Sequence, residues 1–253
     1  MTAFSDERRE EIVRLVGESG RMSVKRLAEL LGVTPMTIRR DLSELEREDM
    51  LRRVHGAAVL GSERGYAEKA GERRDEKRAI AERAVSLVRP GDTLFLDAGT
   101  TTYEIAQLLL DFEGLTVITN DIKIAFLLSC TEGVEVMCCG GTVQKETGSI
   151  MGMFASQLVG YVQFDRAFMG AASINAQFNV LTPTMEKATL KRTVLSNSSE
   201  SYLVVDASKF NRRALMKVNG LEAYTGVITT YDFSDAELSL LDRRGVHLIG
   251  VHA

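Results

Sequence analysis

Apolar positions recur at helical spacing through the first fifty residues and in short runs further on. Ile12, Leu15 and Val16 share one face of a predicted helix that Gly20 stops. Ser5 is its candidate N-cap, and Asp6 and Glu7 occupy the first turn, where carboxylates meet the positive end of the dipole. Ser23 opens a second helix, with Leu27, Leu30 and Leu31 as its apolar stripe and Gly32 as its end. A third begins at Thr34-Pro35, an N-cap followed by the residue whose missing N–H costs nothing at the first helical position. Ile38, Leu42 and Leu45 face inward, so Met36, Arg40, Ser43 and Arg47 fall opposite, flanked by Thr37 and Arg39. Two helices across a tight glycine-containing turn, the second with an outward basic face, make a helix-turn-helix pattern. Residues 51–59 read as two short strands around a His55-Gly56 turn, with Arg52 and Arg53 on the first. This β-wing completes a winged helix-turn-helix over residues 1–60.

Residues 61–78 are mostly charged, with three glycines and few apolar side chains, and read as a linker or exposed crossover. From residue 79 to 253 the pattern is that of an α/β domain. Ile80, Ala84, Leu87 and Val88 mark a helix stopped by Pro90-Gly91. Strands are predicted at Thr93–Asp97, Thr116–Thr119, Val134–Cys138, Arg166–Gly170, Tyr202–Asp206, Gly226–Thr229 and Val246–Gly250. Several are nearly all apolar, as strands covered on both faces are, which predicts a mostly parallel sheet flanked by helices.

Composition narrows the class. A chain of 253 residues with 45% hydrophobic residues can bury a substantial core. It is no disordered tail, collagen-like fibre or disulfide scaffold. The net charge of −4 belongs wholly to the second part, because residues 1–60 hold 11 Lys+Arg and 11 Asp+Glu. Any DNA-facing charge must therefore be focused on Arg39, Arg40, Arg47, Arg52 and Arg53. Cys130, Cys138 and Cys139 lie in an apolar context without repeated C-x-x-C spacing and are expected as buried reduced thiols. Neither a metal site nor a cofactor is predicted. There is no run of about 18 apolar residues to span a membrane, and the polar start, Met1–Glu10, is no signal peptide. The expected compartment is the cytoplasm.

The candidate chemistry lies at strand ends. Leu96-Asp97-Ala98-Gly99-Thr100-Thr101-Thr102 passes from a strand through a Gly/Thr turn into a helix. Backbone N–H groups and three hydroxyls there can cradle an anion; an ordinary βα turn with threonine caps explains the same residues. The stretch is neither a P-loop nor GxGxxG. Asn120, the pair Gly140-Gly141, Gly170 and Asp206 punctuate other strand ends, and Lys209 can meet a phosphate as a point charge. Glu186 and Lys191 lie in a predicted helix after Pro183. Together these residues describe one pocket for a small anionic ligand. His55 in the wing is a candidate phosphate contact, while His247 and His252 form no pattern. No Ser/His/Asp or Cys/His arrangement emerges, so no catalytic residue is assigned.

Several of these segments resemble the DeoR family of bacterial transcriptional regulators over nearly the full chain. Arg9 followed by Val13, then Thr34-x-x-Thr37-Ile38-Arg39-Arg40-Asp41-Leu42, is similar to the family's helix-turn-helix signature. Val54-His55-Gly56-Ala57-Ala58 is similar to its wing. Asp97–Thr101, Thr119-Asn120, Gly140-Gly141-Thr142, Phe168–Ala171, Lys191-Arg192 and Asp206–Phe210 follow in the family's order. Ala172-Ser173-Ile174 and Ala176-Gln177-Phe178-Asn179 depart from its usual residues. The resemblance implies a sensor fold related to ribose-5-phosphate isomerase and glucosamine-6-phosphate deaminase. It also implies a phosphorylated sugar effector, repression of carbohydrate uptake and catabolism genes, and a homo-oligomer, dimer or tetramer.

The leading expectation is a sequence-specific regulator bound to double-stranded operator DNA. Arg40 is placed for base contact with Met36, Thr37, Arg39 and Ser43 beside it, and Arg47, Arg52 and Arg53 are placed for phosphates. The rivals are a sugar-phosphate isomerase or deaminase fused to a DNA-reading module, with Glu186 as base, and a winged-helix scaffold that binds no DNA.

Overall fold

The computed structural model describes residues 3–19, 21–47, 51–54, 57–60 and 65–251. The first part runs α1 (Ala3–Ser19), β1 (Arg21–Ser23), α2 (Val24–Leu31), α3 (Pro35–Arg47), β2 (Leu51–Val54) and β3 (Ala57–Leu60). Its core is Ile12, Val13, Val16, Leu27, Ile38, Leu42 and Leu45 against Leu51 and Ala58. The caps are those the sequence predicts. Ser23 accepts from the Arg26 N–H at 3.1 Å, Thr34 Oγ1 accepts from the Thr37 N–H at 3.2 Å, and Gly32 ends α2 in the left-handed region at φ 63°. Leu30 departs from its predicted stripe. It is 45% exposed, because Val24, Leu27 and Ala28 already fill the inward face of this short helix.

The wing is a three-stranded antiparallel sheet in which β3 pairs with both β2 and β1. Three residues are too few for β1 to show an alternation in sequence. Asp41 is a second feature that periodicity does not reveal. It is buried, and the Arg8 guanidinium grips both its oxygens, at 2.6 and 3.1 Å, locking α1 onto α3. The candidate Ser5 cap, Gly20 and the His55-Gly56 turn lie outside the described residues or side chains.

The 61–78 stretch is no open joint over its second half. Residues 66–71 form α4 (Tyr66–Gly71) and residues 74–85 form α5 (Arg74–Val85), so this helix starts well before residue 79. Lys77 is buried there, its ammonium satisfied by the carbonyls of Lys69 and Glu72. The charged composition of this stretch masks the helix, since its apolar face is carried by few residues, with Lys77 among those buried.

The larger part continues β4 (Thr93–Leu96), α6 (Thr100–Leu108), β5 (Leu115–Thr119), α7 (Ile122–Leu128), β6 (Val134–Cys138), β7 (Thr142–Val143), β8 (Ile150–Met151), α8 (Met153–Tyr161) and β9 (Phe164–Met169). It ends with β10 (Ser173–Ile174), β11 (Asn179–Thr182), α9 (Met185–Ser196), β12 (Ser198–Val205), β13 (Met216–Gly220), β14 (Gly226–Thr229), α10 (Asp235–Arg243) and β15 (Leu248–Gly250). All seven predicted strands join one fully parallel sheet in the order β15-β14-β12-β9-β4-β5-β6. Successive residues of a strand enter opposite layers. Phe95, Ala167 and Leu203 pack into one apolar cluster, and Leu94, Leu96, Phe168 and Val204 into the other. The hairpin β7-β8 and the antiparallel set β10-β11-β13 were not predicted, their strands being two to five residues long.

The thiols need a correction. Cys139 is buried, with its thiol pKa pushed up to about 12 by loss of solvent and by Cys138. Cys130 and Cys138 are exposed, because Cys130 follows the end of α7 and Cys138 ends an edge strand of the sheet.

Candidate functional site

From β4 the chain steps outward through β5 to β6, then returns to β9 on the other side of β4. The carboxyl ends of β4 and β9 therefore flank the switch point of the sheet, where α/β folds open a crevice. A cavity lies there. Asp97, Gly99, Thr100, Thr101, Thr102, Asn120, Gly170, Glu186, Lys191 and Lys209 line it, so the structure brings ten of the candidate residues together.

The turn before α6 is braced from the neighbouring strand end. The Ala98 N–H donates to Asn120 Oδ1 at 2.8 Å, and the Gly99 N–H donates to Asp121 at 3.2 Å. Thr102 Oγ1 donates to the Gly99 carbonyl at 3.0 Å, so one of the three hydroxyls is spent on the turn's own backbone. What faces the cavity is the start of a nine-residue helix, with its positive dipole end.

The floor is a buried pair. Lys191, projecting from α9, donates to the Asp97 carboxylate and, at 2.8 Å, to the Gly170 carbonyl. Asp97 Oδ2 also accepts from the Gly170 N–H at 3.0 Å. One carboxylate thus ties the end of β4 to the end of β9. The sequence reading assigned Asp97 and Lys191 to a ligand; the structure shows them bound to each other.

Lysines dominate the remaining charge. Lys69, Lys187 and Lys209 line the cavity with Lys191, against the carboxylates of Asp97 and Glu186. Burial depresses the Lys209 pKa, and Lys69, Lys77 and Arg212 push it the same way against the pull of Asp206. Lys69 and Lys187 escaped sequence reasoning, Lys69 because it sits in the charged stretch taken as a linker. Ser149, Ile150 and Met151 of the hairpin and Thr182 complete much of the wall.

Three candidates do not line the cavity. Asp206 is buried and caps the next turn by accepting from the Ser208 N–H at 2.9 Å. Gly140 and Gly141 lead into the β7-β8 hairpin, and a Cβ at Gly141 would stand 2.2 Å from the Met151 carbonyl oxygen at φ +141°. Gly141→Ala is expected to destabilise the protein by about 1–3 kcal/mol, read as a lower melting temperature. An unchanged melt would show that the hairpin yields freely.

On α3, Met36, Arg39, Arg40 and Ser43 are exposed on the face opposite Ile38 and Leu42. Thr34 and Thr37 are engaged in the cap, their hydroxyls 3.0 Å apart, and Ser43 Oγ donates to the Arg39 carbonyl at 2.8 Å. The backbones of Arg47, Arg52 and Arg53 lie at the end of α3 and on β2; their side chains, and all of His55, lie outside the described set.

Comparison with known proteins gives two consecutive matches. Residues 8–64 match the DeoR-like helix-turn-helix domain, and residues 72–231 match the DeoR C-terminal sensor domain. The chain belongs to the DeoR family. It is 34% identical to the HTH-type transcriptional regulator GlpR of Haloferax volcanii over 97% of this chain and 95% of that protein. It is 30% identical to the glycerol-3-phosphate regulon repressor of Escherichia coli, over 88% and 90% of the two chains. Among solved structures, ribose 5-phosphate isomerase A from Methanocaldococcus jannaschii matches 54% of each chain at 20% identity, with a TM-score of 0.40. This DeoR family member is a DNA-binding transcriptional regulator with a sensor domain. Among its described residues no helix is long and apolar enough to cross a membrane, and no cluster of metal-binding side chains occurs.

Proposed function

We propose that the protein represses genes of carbohydrate uptake or catabolism and that a phosphorylated sugar or sugar derivative in the switch-point cavity controls it. The observation that carries this reading is the cavity itself, which the start of α6 and several lysines line together. A phosphate suits both the dipole and the Lys209 ammonium. The related repressor whose name contains glycerol-3-phosphate points to the same chemistry. The cavity senses its ligand rather than turning it over. No histidine lines it among the described residues, and Glu186 stands exposed at its mouth.

In this reading residues 1–60 read DNA, and the sensor extends to residue 253 from a connector whose helices already pack on it. The protein works as a homo-oligomer in the cytoplasm, since a neutral DNA-reading part needs repeated half-sites for tight binding. The ligand acts by binding the DNA-bound and DNA-free conformations unequally.

A thermal-shift panel of sugar phosphates and glycerol 3-phosphate tests the sensor. Stabilisation that survives Thr101→Ala combined with Lys209→Ala would refute the pocket, and turnover of any of these compounds would favour an enzyme. On the DNA side, an operator recovered by genomic footprinting is the substrate. Arg40→Ala is expected to weaken operator binding by about tenfold or more and to relax sequence preference, as for a lost base contact. Arg52→Ala should instead lower the salt slope by about one. If neither change weakens binding, this face of the domain does not read DNA.

A further inference from the structure

The connector between the two parts reaches into the sensor cavity. Lys69 of α4 lines it together with Lys209 and the Gly99-Thr100 turn. Yet α4 buries no side chain of its own. Its hold on the sensor is polar and aromatic. The Tyr66 N–H donates to the Glu146 carbonyl at 2.8 Å, the Tyr66 ring meets Tyr103 edge-on at 6.0 Å, and Lys123 Nζ lies 4.1 Å above the Tyr66 ring. Beneath α4, Lys77 pins the carbonyls of Lys69 and Glu72 from α5. A six-residue helix with no fully buried side chain has little docking free energy of its own, so it belongs to the low-stability end of the structure. Five residues separate it from β3 of the wing.

We propose that Lys69 is a ligand for the anionic group of the effector, so that occupancy of the cavity fixes α4, the first helix after the wing in the chain. The proposal rests on the reading of the cavity as an anion site and names how that site is coupled to α4. Lys69, Lys77 and Lys209 are like charges close enough to act on one another, with Asp206 offsetting part of the repulsion at Lys77 and Lys209. An anion between Lys69 and Lys209 removes that repulsion and adds charge-assisted hydrogen bonds. It touches the strand ends on one side and α4 on the other, so it binds better when α4 is docked than when α4 is away. That difference is what lets a ligand shift a conformational equilibrium.

The experiment uses the full-length protein with inorganic phosphate as the probe, followed by calorimetric titration and by hydrogen exchange of residues 66–71. In the wild type, phosphate is expected to slow exchange in this segment. Lys69→Gln should weaken phosphate binding by about tenfold, the scale of one hydrogen bond to a charged group, and abolish the slowing. Lys69→Arg should restore both and, without phosphate, should melt like the wild type. Wild-type affinity and wild-type slowing in Lys69→Gln would overturn the assignment of Lys69 and leave the anion site standing, since Lys209→Gln tests that site separately. Weaker binding with no change in α4 exchange would overturn the coupling. Absence of phosphate binding in the wild type would overturn both the coupling and the site on which it rests.

Discussion

Replacing Asp97 by alanine is expected to lower the melting temperature by about 10 °C, because breaking a buried ion pair costs about 3–5 kcal/mol and each kcal/mol moves a domain of this size by about 2–4 °C. Asp97 is almost wholly buried, and its carboxylate accepts from both Lys191 and the Gly170 N–H. Alanine would leave an ammonium without its counter-charge and an amide without an acceptor, where little water reaches either. The cost comes from the orphaned partner more than from the lost attraction, which sets up a sharper test. Asp97→Asn combined with Lys191→Met removes both charges and should recover much of the stability lost by Asp97→Ala. A double-mutant cycle should show strong coupling between the two positions. An Asp97→Ala protein that melts like the wild type would mean that the strand ends are not tied through this carboxylate.

Lys209→Met is expected to weaken binding of glycerol 3-phosphate or a sugar phosphate by about tenfold to a hundredfold, the range for a hydrogen bond between charged groups. The effect should depend on pH in a defined direction. Burial holds the Lys209 pKa below the ordinary lysine range in the free protein, reinforced by Lys69, Lys77 and Arg212. A bound phosphate dianion favours the charged ammonium and raises that pKa. The complex therefore holds the proton more tightly than the free protein does. Affinity is full below the free-state pKa and falls as pH rises through it. Calorimetry in buffers of different ionisation enthalpy should register proton uptake on binding in the alkaline range, and Lys209→Met should lose it. Equal affinity of wild type and variant across that range would remove Lys209 from the site.

The candidate site was legible in part, and particular residues show why. The Gly99–Thr102 turn and Lys209 stand out in sequence because a strand-to-helix junction rich in glycine and threonine has a local signature. Asp97 stands out at a strand end and Lys191 in a predicted helix, but their pairing does not, since they lie 94 positions apart. Gly140 and Gly141 carry the same punctuation yet serve the β7-β8 hairpin. Their sequence resembles a site because a tight backbone turn and a ligand-approaching turn demand the same residue. Lys69 was missed because charged composition reads as solvated when no partner is visible, and its cavity belongs to strands well beyond it in the chain.

Periodicity by itself determined the three helices of the DNA-reading part, the outward face of α3 and all seven strands of the parallel sheet. Each of these is a local matter of which side chains avoid water along one element. The tertiary structure alone decided the order of those strands, and hence that β4 and β9 are neighbours with a crevice between their ends. It alone decided that Asp41 is held by Arg8, that Asp97 neutralises Lys191, and that a helix of the connector lends a lysine to the sensor. Alternation records that a strand is buried on both faces but not which strand lies beside it. Charges distant in sequence acquire partners only when the backbone has brought them together.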